Sequence, residues 1–219
     1  GAKYHLPVMK DLGSGNFVDF SKYGLLKEPT VQETVAAGAD VITFSGDKML
    51  GGPQAGIIVG KEEAVQSIRK NPINRALRID KMTLAALEAT LHLYRDEARA
   101  VSTIPTLQML TMPVKRISSK ARRLKNRLTK LGDNRLEATI MTSSSRVGGG
   151  ALPLQELPTK CVGTKIKGLS VNALDRAMRH ASPPTIGRIE DDLFVMDART
   201  IQDEEIPIIS AIFKKILTE

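Results

Sequence analysis

The sequence predicts an α/β fold over its first half and a smaller α+β unit over its second. Three observations carry this. Short β-rich apolar runs alternate with helical patterns through residue 105, the order that builds an α/β sheet. Ser102-Thr103-Ile104-Pro105 then punctuates the chain, which predicts a first domain over 1–105 and a second over 106–219. Length agrees, because 219 residues suffice for one or two domains with real cores.

The elements follow in chain order. Leu6 to Leu12 reads as a strand, closed by the turn residues Asp11-Leu12-Gly13-Ser14-Gly15. Thr30 predicts a helix start, because Glu33 three residues on completes a capping box, and Gly38 stops that helix. Asp40-Val41-Ile42-Thr43-Phe44 and Gly56-Ile57-Ile58-Val59-Gly60 read as buried strands, joined by a polar, Gly-rich connection. Glu62 to Lys70 is helical and Asn71-Pro72 ends it. Met82 to Tyr94 is a helix with Leu84, Leu87, Leu91 and Tyr94 on one face. In the second half Pro113 opens a basic helix running to Leu131 as its first residue, and Gly132 ends it. Strands are expected within Leu136 to Thr142 and Leu152 to Thr164, with a flexible Gly148-Gly149-Gly150 between them. Asn172 caps a helix to His180. Thr185 to Ile189 and Leu193 to Asp197 form a hairpin turning at Glu190-Asp191-Asp192, and a closing helix from Glu204 to Leu217 holds Pro207 in its first turn.

Composition narrows the function classes. With 42% apolar and 26% charged residues the chain is not of the disordered type. No apolar run reaches the roughly 18 residues of a membrane span, and the first twelve residues do not read as a signal peptide. The single cysteine, Cys161, rules out an internal disulfide; a reducing, cytoplasmic location fits. His5, His92 and His180 are too scattered to suggest a histidine-based zinc site. The net charge is +8, and it is uneven: 13 basic and 12 acidic side chains among residues 1–110, against 19 and 12 among 111–219. A basic half suits a polyanionic partner. Yet Lys115, Arg116, Lys120, Arg122, Arg123, Lys125, Arg127 and Lys130 read as wrapping round their helix without forming one stripe, so a solvated helix face is the plainer reading. With no Trp and eight Phe plus Tyr, the chain offers little for stacking bases.

The segment from Phe44 to Gly56 is the richest in chemistry. Lys48 follows a strand directly and is flanked by glycines, at a strand end of the kind where α/β sheets bind ligands. A lysine near apolar surface loses its proton readily and forms Schiff bases, and glycines let backbone approach a flat ligand. Ser45 offers a hydroxyl to a phosphate. The same pattern also suits a solvated surface lysine. Asp11 precedes Lys48 by 37 residues, with one helical crossover between. That order suits a carboxylate paired with the protonated pyridine nitrogen of pyridoxal phosphate (PLP), which keeps the ring an electron sink; an Asx-turn before Gly13 is the alternative. Arg75 and Arg78, three apart, share a face on a helical turn and suit a phosphate-like anion, with ion pairs to Asp80 or Glu88 as the alternative.

These residues together resemble one family. Asp11-Leu12-Gly13-Ser14-Gly15, Phe44-Ser45-Gly46-Asp47-Lys48, Leu50 to Gly60, Arg75-Ala76-Leu77-Arg78 and Asp80 to Leu91 are similar to the bacterial selenocysteine synthases, the L-seryl-tRNA(Sec) selenium transferases. The likeness is continuous to about residue 112, thins in the basic helix, and returns at Gly150-Ala151-Leu152-Pro153, Leu157-Pro158, Ile186-Gly187-Arg188-Ile189 and Asp197-Ala198-Arg199. Met49 stands where a Leu is common, a volume-conserving change. The resemblance implies PLP fold type I, with the chain as the C-terminal half of a longer protein: the end of the large domain plus the small C-terminal domain. It implies PLP as cofactor, seryl-tRNA(Sec) and selenophosphate as substrates, an aminoacrylyl-tRNA intermediate, and a homo-oligomer of dimers assembled into a ring. Lys48 matches the lysine that binds PLP covalently, Asp47 a carboxylate that assists it, and Arg75 with Arg78 the selenophosphate pocket; Asp11 and Ser45 as cofactor contacts come from fold logic alone. Two other readings stand beside this one: a related PLP-dependent β-eliminating lyase acting on a small amino acid or amino sugar acid, and a non-catalytic folding or oligomerisation module.

Overall fold

The computed structural model describes residues 1–148, 151–152 and 155–218. Gly149 and Gly150 of the glycine run, and Pro153 of the motif that follows it, lie outside the described residues. The chain divides into two compact units, one of 1–111 with 147–155 and one of 112–146 with 156–219.

The first unit holds β1 (Met9–Gly13), α1 (Val31–Ala36), β2 (Val41–Ser45), β3 (Gly56–Gly60), α2 (Glu62–Lys70), α3 (Ile73–Leu77), α4 (Lys81–Leu93), α5 (Glu97–Thr103) and α6 (Pro105–Thr111). The division therefore falls after α6, not at Pro105: Ile104, between α5 and α6, is buried. The capping box of α1 is present in both directions. Thr30 Oγ1 accepts the Glu33 N–H at 3.1 Å, and the Glu33 carboxylate accepts the Thr30 N–H at 3.0 Å. α1 is the crossover that lets β1 and β2 run parallel, with Met9 opposite Val41. β3 runs antiparallel to β2, with Ser45 opposite Gly56. Only residues 46–55 join β2 to β3, too few for the dozen or more that a parallel return needs. β3 is also not the buried strand expected; it alternates between exposed and half-buried positions. Among the described residues, Val31 clusters with Ile42 and Phe44, and Leu50 with Ala55 and Leu87. Leu84, expected on the inner face of α4, is 56% exposed.

The second unit holds α7 (Val114–Thr129), β4 (Leu136–Ser145), β5 (Leu157–Ile166), α8 (Val171–His180), β6 (Arg188–Glu190), β7 (Leu193–Asp197) and α9 (Glu205–Thr218). Its sheet is antiparallel in the order β4-β5-β7-β6. Helical cap positions differ by one or two residues from expectation. Pro113 is the cap of α7 and not its first residue, and Ser170, not Asn172, caps α8 by accepting the Ala173 N–H at 3.2 Å. Asp191 and Asp192 take left-handed φ values of 50° and 56° and so close the β6–β7 hairpin with the backbone of a type I′ turn. The core gathers Ile117, Leu124, Leu128, Val162, Leu174, Met178, Phe194 and Phe213. The Asp197-Ala198-Arg199 motif ties strand ends together. Asp197 accepts the hydroxyls of Thr159 at 2.7 Å and Ser145 at 2.5 Å and the Arg199 N–H at 2.9 Å, while the Arg199 guanidinium donates to Pro158 O at 2.7 Å.

α7 overturns the expectation for its cations. Buried positions 117, 120, 121, 124 and 128 follow the period of one helix face. The exposed Lys115, Arg116, Arg122, Arg123, Arg127 and Lys130 then share roughly 140° of the other side. Counted by themselves the cations show no stripe; one emerges once the apolar residues fix which way the helix faces.

Because Phe213 is fully buried among these residues, Phe213→Ala should cost ~3–5 kcal/mol, whereas Lys115→Ala on the exposed face of α7 should stay within about 0.5 kcal/mol. Urea unfolding of the two variants measures the contrast; equal midpoints would contradict the assigned core.

Candidate active site

β1 and β2 run parallel, so their C-terminal ends lie side by side. Asp11 sits near one end and Ser45 at the other. Thr43 and Ser45 occupy the same face of β2, since side chains alternate along a strand, while Ile42 and Phe44 fill the buried face. Asp11 is opposite Thr43 in the register and accepts its hydroxyl at 3.0 Å. Asp11 Oδ1 also accepts the Gly13 N–H at 3.0 Å, so the Asx-turn is present, and the carboxylate remains exposed. Thr43, which sequence reasoning did not single out, thus orients Asp11. The i, i+2 spacing of Thr43 and Ser45 was the available signal.

After Ser45 the chain turns tightly. Gly46 N–H donates to Ala55 O at 2.8 Å, Gly52 N–H to Gly46 O at 2.8 Å, Gly51 N–H to Lys48 O at 3.0 Å, and Met49 N–H to Ser14 O at 2.9 Å. Met49 and Leu50 are buried, at 2% and 0% exposure, and anchor the turn from below. Tyr94, at the end of α4, donates its hydroxyl to Leu50 O at 2.8 Å. Burial pushes the phenol above its ordinary ionisation range, so it stays a donor. Phe17 packs between Phe44 and Tyr94, with ring centroids 5.5 and 5.3 Å away. Lys48 is therefore carried on a backbone pinned from several sides. Its side chain is half-buried, and its amine makes no hydrogen bond or ion pair among the described residues. Asp47 beside it is exposed.

The glycines serve this packing. Gly15 sits at φ +68°, and a Cβ there would meet Ser45 O; Gly51 sits at φ +70°, and a Cβ there would run into Ile104. What approaches these two positions closely is the chain itself.

Arg75 lies in α3, but Arg78 follows the helix in an extended conformation, φ −62° and ψ 139°, so the two do not share a helical face. The cause is next in the chain. Asp80 must be extended to cap α4, where it accepts the Met82 and Thr83 N–H groups at 2.7 and 3.0 Å, so the helix breaks before it. Neither arginine forms an ion pair among the described residues: Asp80 is engaged as a cap, and Glu88 lies 3.9 Å from His92. Asp11, Thr43, Ser45 and Arg78 line one cleft of about 860 Å³, together with Asn71 and Asn74. Lys48, Asp47 and Arg75 are not among its lining residues. Among the described residues no cluster of three or more His, Cys, Asp or Glu is placed to hold a metal, and no helix is long and apolar enough to cross a membrane.

Tyr94→Phe keeps the ring and removes only the donor to Leu50 O, so it should cost ~1–2 kcal/mol in chemical unfolding and speed hydrogen exchange at the Gly51 and Gly52 amides. Unchanged exchange there would show that the hydroxyl does not hold the turn.

The chain is 52% identical over 214 residues to the L-seryl-tRNA(Sec) selenium transferase of Solidesulfovibrio magneticus, covering 97% of this chain and 46% of that protein. It is 50% identical over 218 residues to the enzyme of the same name from Nitratidesulfovibrio vulgaris, covering 99% and 46%. The chain thus spans about half the length of the curated relatives it matches. Among solved structures, D-glucosaminate-6-phosphate ammonia-lyase superposes with a TM-score of 0.56 at 18% identity, over 98% of this chain and 50% of that one. That likeness concerns the fold alone, a mixed α/β architecture. The sequence profile of the L-seryl-tRNA selenium transferases matches residues 1–202, and the chain belongs to that family.

Proposed function

We propose that this chain is the C-terminal half of a PLP-dependent enzyme that converts seryl-tRNA(Sec) to selenocysteinyl-tRNA(Sec) with selenophosphate as donor. The observation that carries the reading is the family match over residues 1–202, which includes Lys48 in its pinned turn. The residues present fit the cofactor. An amine without a protein partner among the described residues, a carboxylate oriented by Thr43, and a hydroxyl and a guanidinium lining one cleft with that carboxylate make a suitable donor set for a phosphorylated aldehyde on a pyridine ring. Rows of exposed apolar side chains in the first unit, Leu77 at 75% and Met82 at 74%, support a chain that is completed by further protein.

When bound, PLP supplies an electron sink for the carbanion left at the serine Cα. Lys48 would hold the cofactor through its amine, and after the α-amine of the seryl group displaced it, that amine would take the Cα proton as general base. Asp47, next to it, assists the proton transfer. Asp11 offers its carboxylate to the protonated ring nitrogen, and Ser45 its hydroxyl to the cofactor phosphate. Arg75 and Arg78 bind the donor anion and hold the phosphate that leaves. In the oligomer expected for the family, neighbouring subunits add to each site. Family membership favours this substrate over the small amino acid or amino sugar acid of the related lyases, and over a non-catalytic module.

The complete natural protein, given seryl-tRNA(Sec) and selenophosphate, should form selenocysteinyl-tRNA, and Arg75→Gln/Arg78→Gln should lower the rate at least ~100-fold at limiting donor. Turnover of small β-substituted amino acids with no turnover of seryl-tRNA would overturn the assignment in favour of a lyase.

A further inference from the structure

We propose that the exposed face of α7 is a docking surface for the phosphate backbone of the tRNA. The inference rests on the tRNA-directed activity proposed above and extends it to a second surface of the chain. From Val114 to Thr129 the helix contains no acidic residue. Its exposed cations, from Lys115 to Lys130, extend about 22 Å along the helix and its end, at 1.5 Å per residue. Arg116, Arg123, Arg127 and Lys130 follow one another at helical spacing, a run of like charges that works against the helix unless an anion offsets it. Elsewhere in the same unit many of the exposed cations are matched: Lys165 and Lys167 with Glu137, Arg135 with Asp133, Arg179 with Asp175, and Arg188 with Glu190; Arg146, Arg176 and Lys214, which form no ion pair among the described residues, are scattered over other elements. On α7, among the described residues, only Arg123 is matched, by Asp203 at 2.6 Å.

Chemistry selects the occupant. An amphipathic helix that lies on a lipid surface must present its apolar face outward. The apolar face of α7 is instead committed to the core through Ile117, Ala121, Leu124 and Leu128, and the polar residues interleaved with its cations are Ser119 and Asn126. With no aromatic side chain on the helix, the surface suits phosphates and not bases, so binding should be insensitive to base sequence. A concavity of about 440 Å³ is bordered by Arg123, Asn126, Arg127 and Lys130 together with Asp203, Ile206 and Pro207; its three cations outnumber the one carboxylate, which is paired with Arg123.

The test uses the complete natural protein and seryl-tRNA(Sec), with affinity measured across a salt series. Arg116→Gln/Arg122→Gln/Arg127→Gln should weaken binding ~10-fold or more and lower the slope of log affinity against log salt by about two to three. A control that removes three charges elsewhere, Lys165→Gln/Lys167→Gln/Lys214→Gln, should leave both nearly unchanged. Thermal melting checks that the triple variant folds, and Lys130→Gln alone, lowering the slope by about one, serves if it does not. Unchanged tRNA affinity and slope in the α7 variants, or an equal loss in the control, would overturn the surface while leaving the activity assignment intact. Loss of binding to phosphatidylglycerol vesicles with tRNA affinity unchanged would overturn it in favour of a membrane. A wild-type protein that binds no seryl-tRNA would overturn the activity reading and this surface with it.

Discussion

The turn from Gly46 to Leu50 holds its shape because the two residues after Lys48 are driven inward while Lys48 itself is not. Burying Met49 and Leu50 contributes about 1.5–3 kcal/mol each. That burial would strand the turn's peptide groups in an apolar setting unless each found a partner. Ser14 O, Ala55 O and the Tyr94 hydroxyl supply those partners from three separate stretches of chain. Apolar burial on one side and these backbone hydrogen bonds on the other hold the turn, while the Lys48 amine makes no hydrogen bond or ion pair among the described residues.

The parallel strands do the rest of the positioning in the first unit. Their shared direction places Asp11 and Ser45 at neighbouring ends, and the register that puts Asp11 opposite Thr43 brings a hydroxyl to the carboxylate. In the second unit the equivalent organiser is a separation of charge from apolar surface along α7, with Asp197 tying the ends of β4, β5 and β7. The first arrangement gathers polar groups at one strand end; the second leaves a cationic face on which Arg123 alone pairs with an acid among the described residues.

Local rules made much of this legible. The Thr30 and Glu33 capping box, the Gly56–Gly60 strand, the Glu62–Lys70 helix and the Asp191-Asp192 turn all follow from residue type and short spacing. What escaped depended on competition or distance. Arg78 leaves the helix because Asp80 is needed as the next cap, a conflict between neighbours that periodicity alone does not resolve. The antiparallel course of β3 was available from the ten-residue connection, but only if connection length is weighed against strand content. Gly51 reads as an open loop residue until Ile104, 53 positions away, is seen to occupy its flank. Tyr94 shows as one more apolar position on a helix, and nothing in its vicinity announces that its hydroxyl serves Leu50. Among the candidate site residues, Asp11, Ser45 and Arg78 meet in one cleft, whereas Lys48 and Asp47 were marked by the glycine-flanked strand end rather than by any cavity.

The central claim is that the amine of Lys48 is where the aldehyde cofactor attaches. Reducing the complete natural protein with borohydride and mapping the digested peptides by mass tests it directly. The account predicts a pyridoxyl group on the peptide containing Lys48; a label on a different residue, or a protein that takes up none, would contradict it.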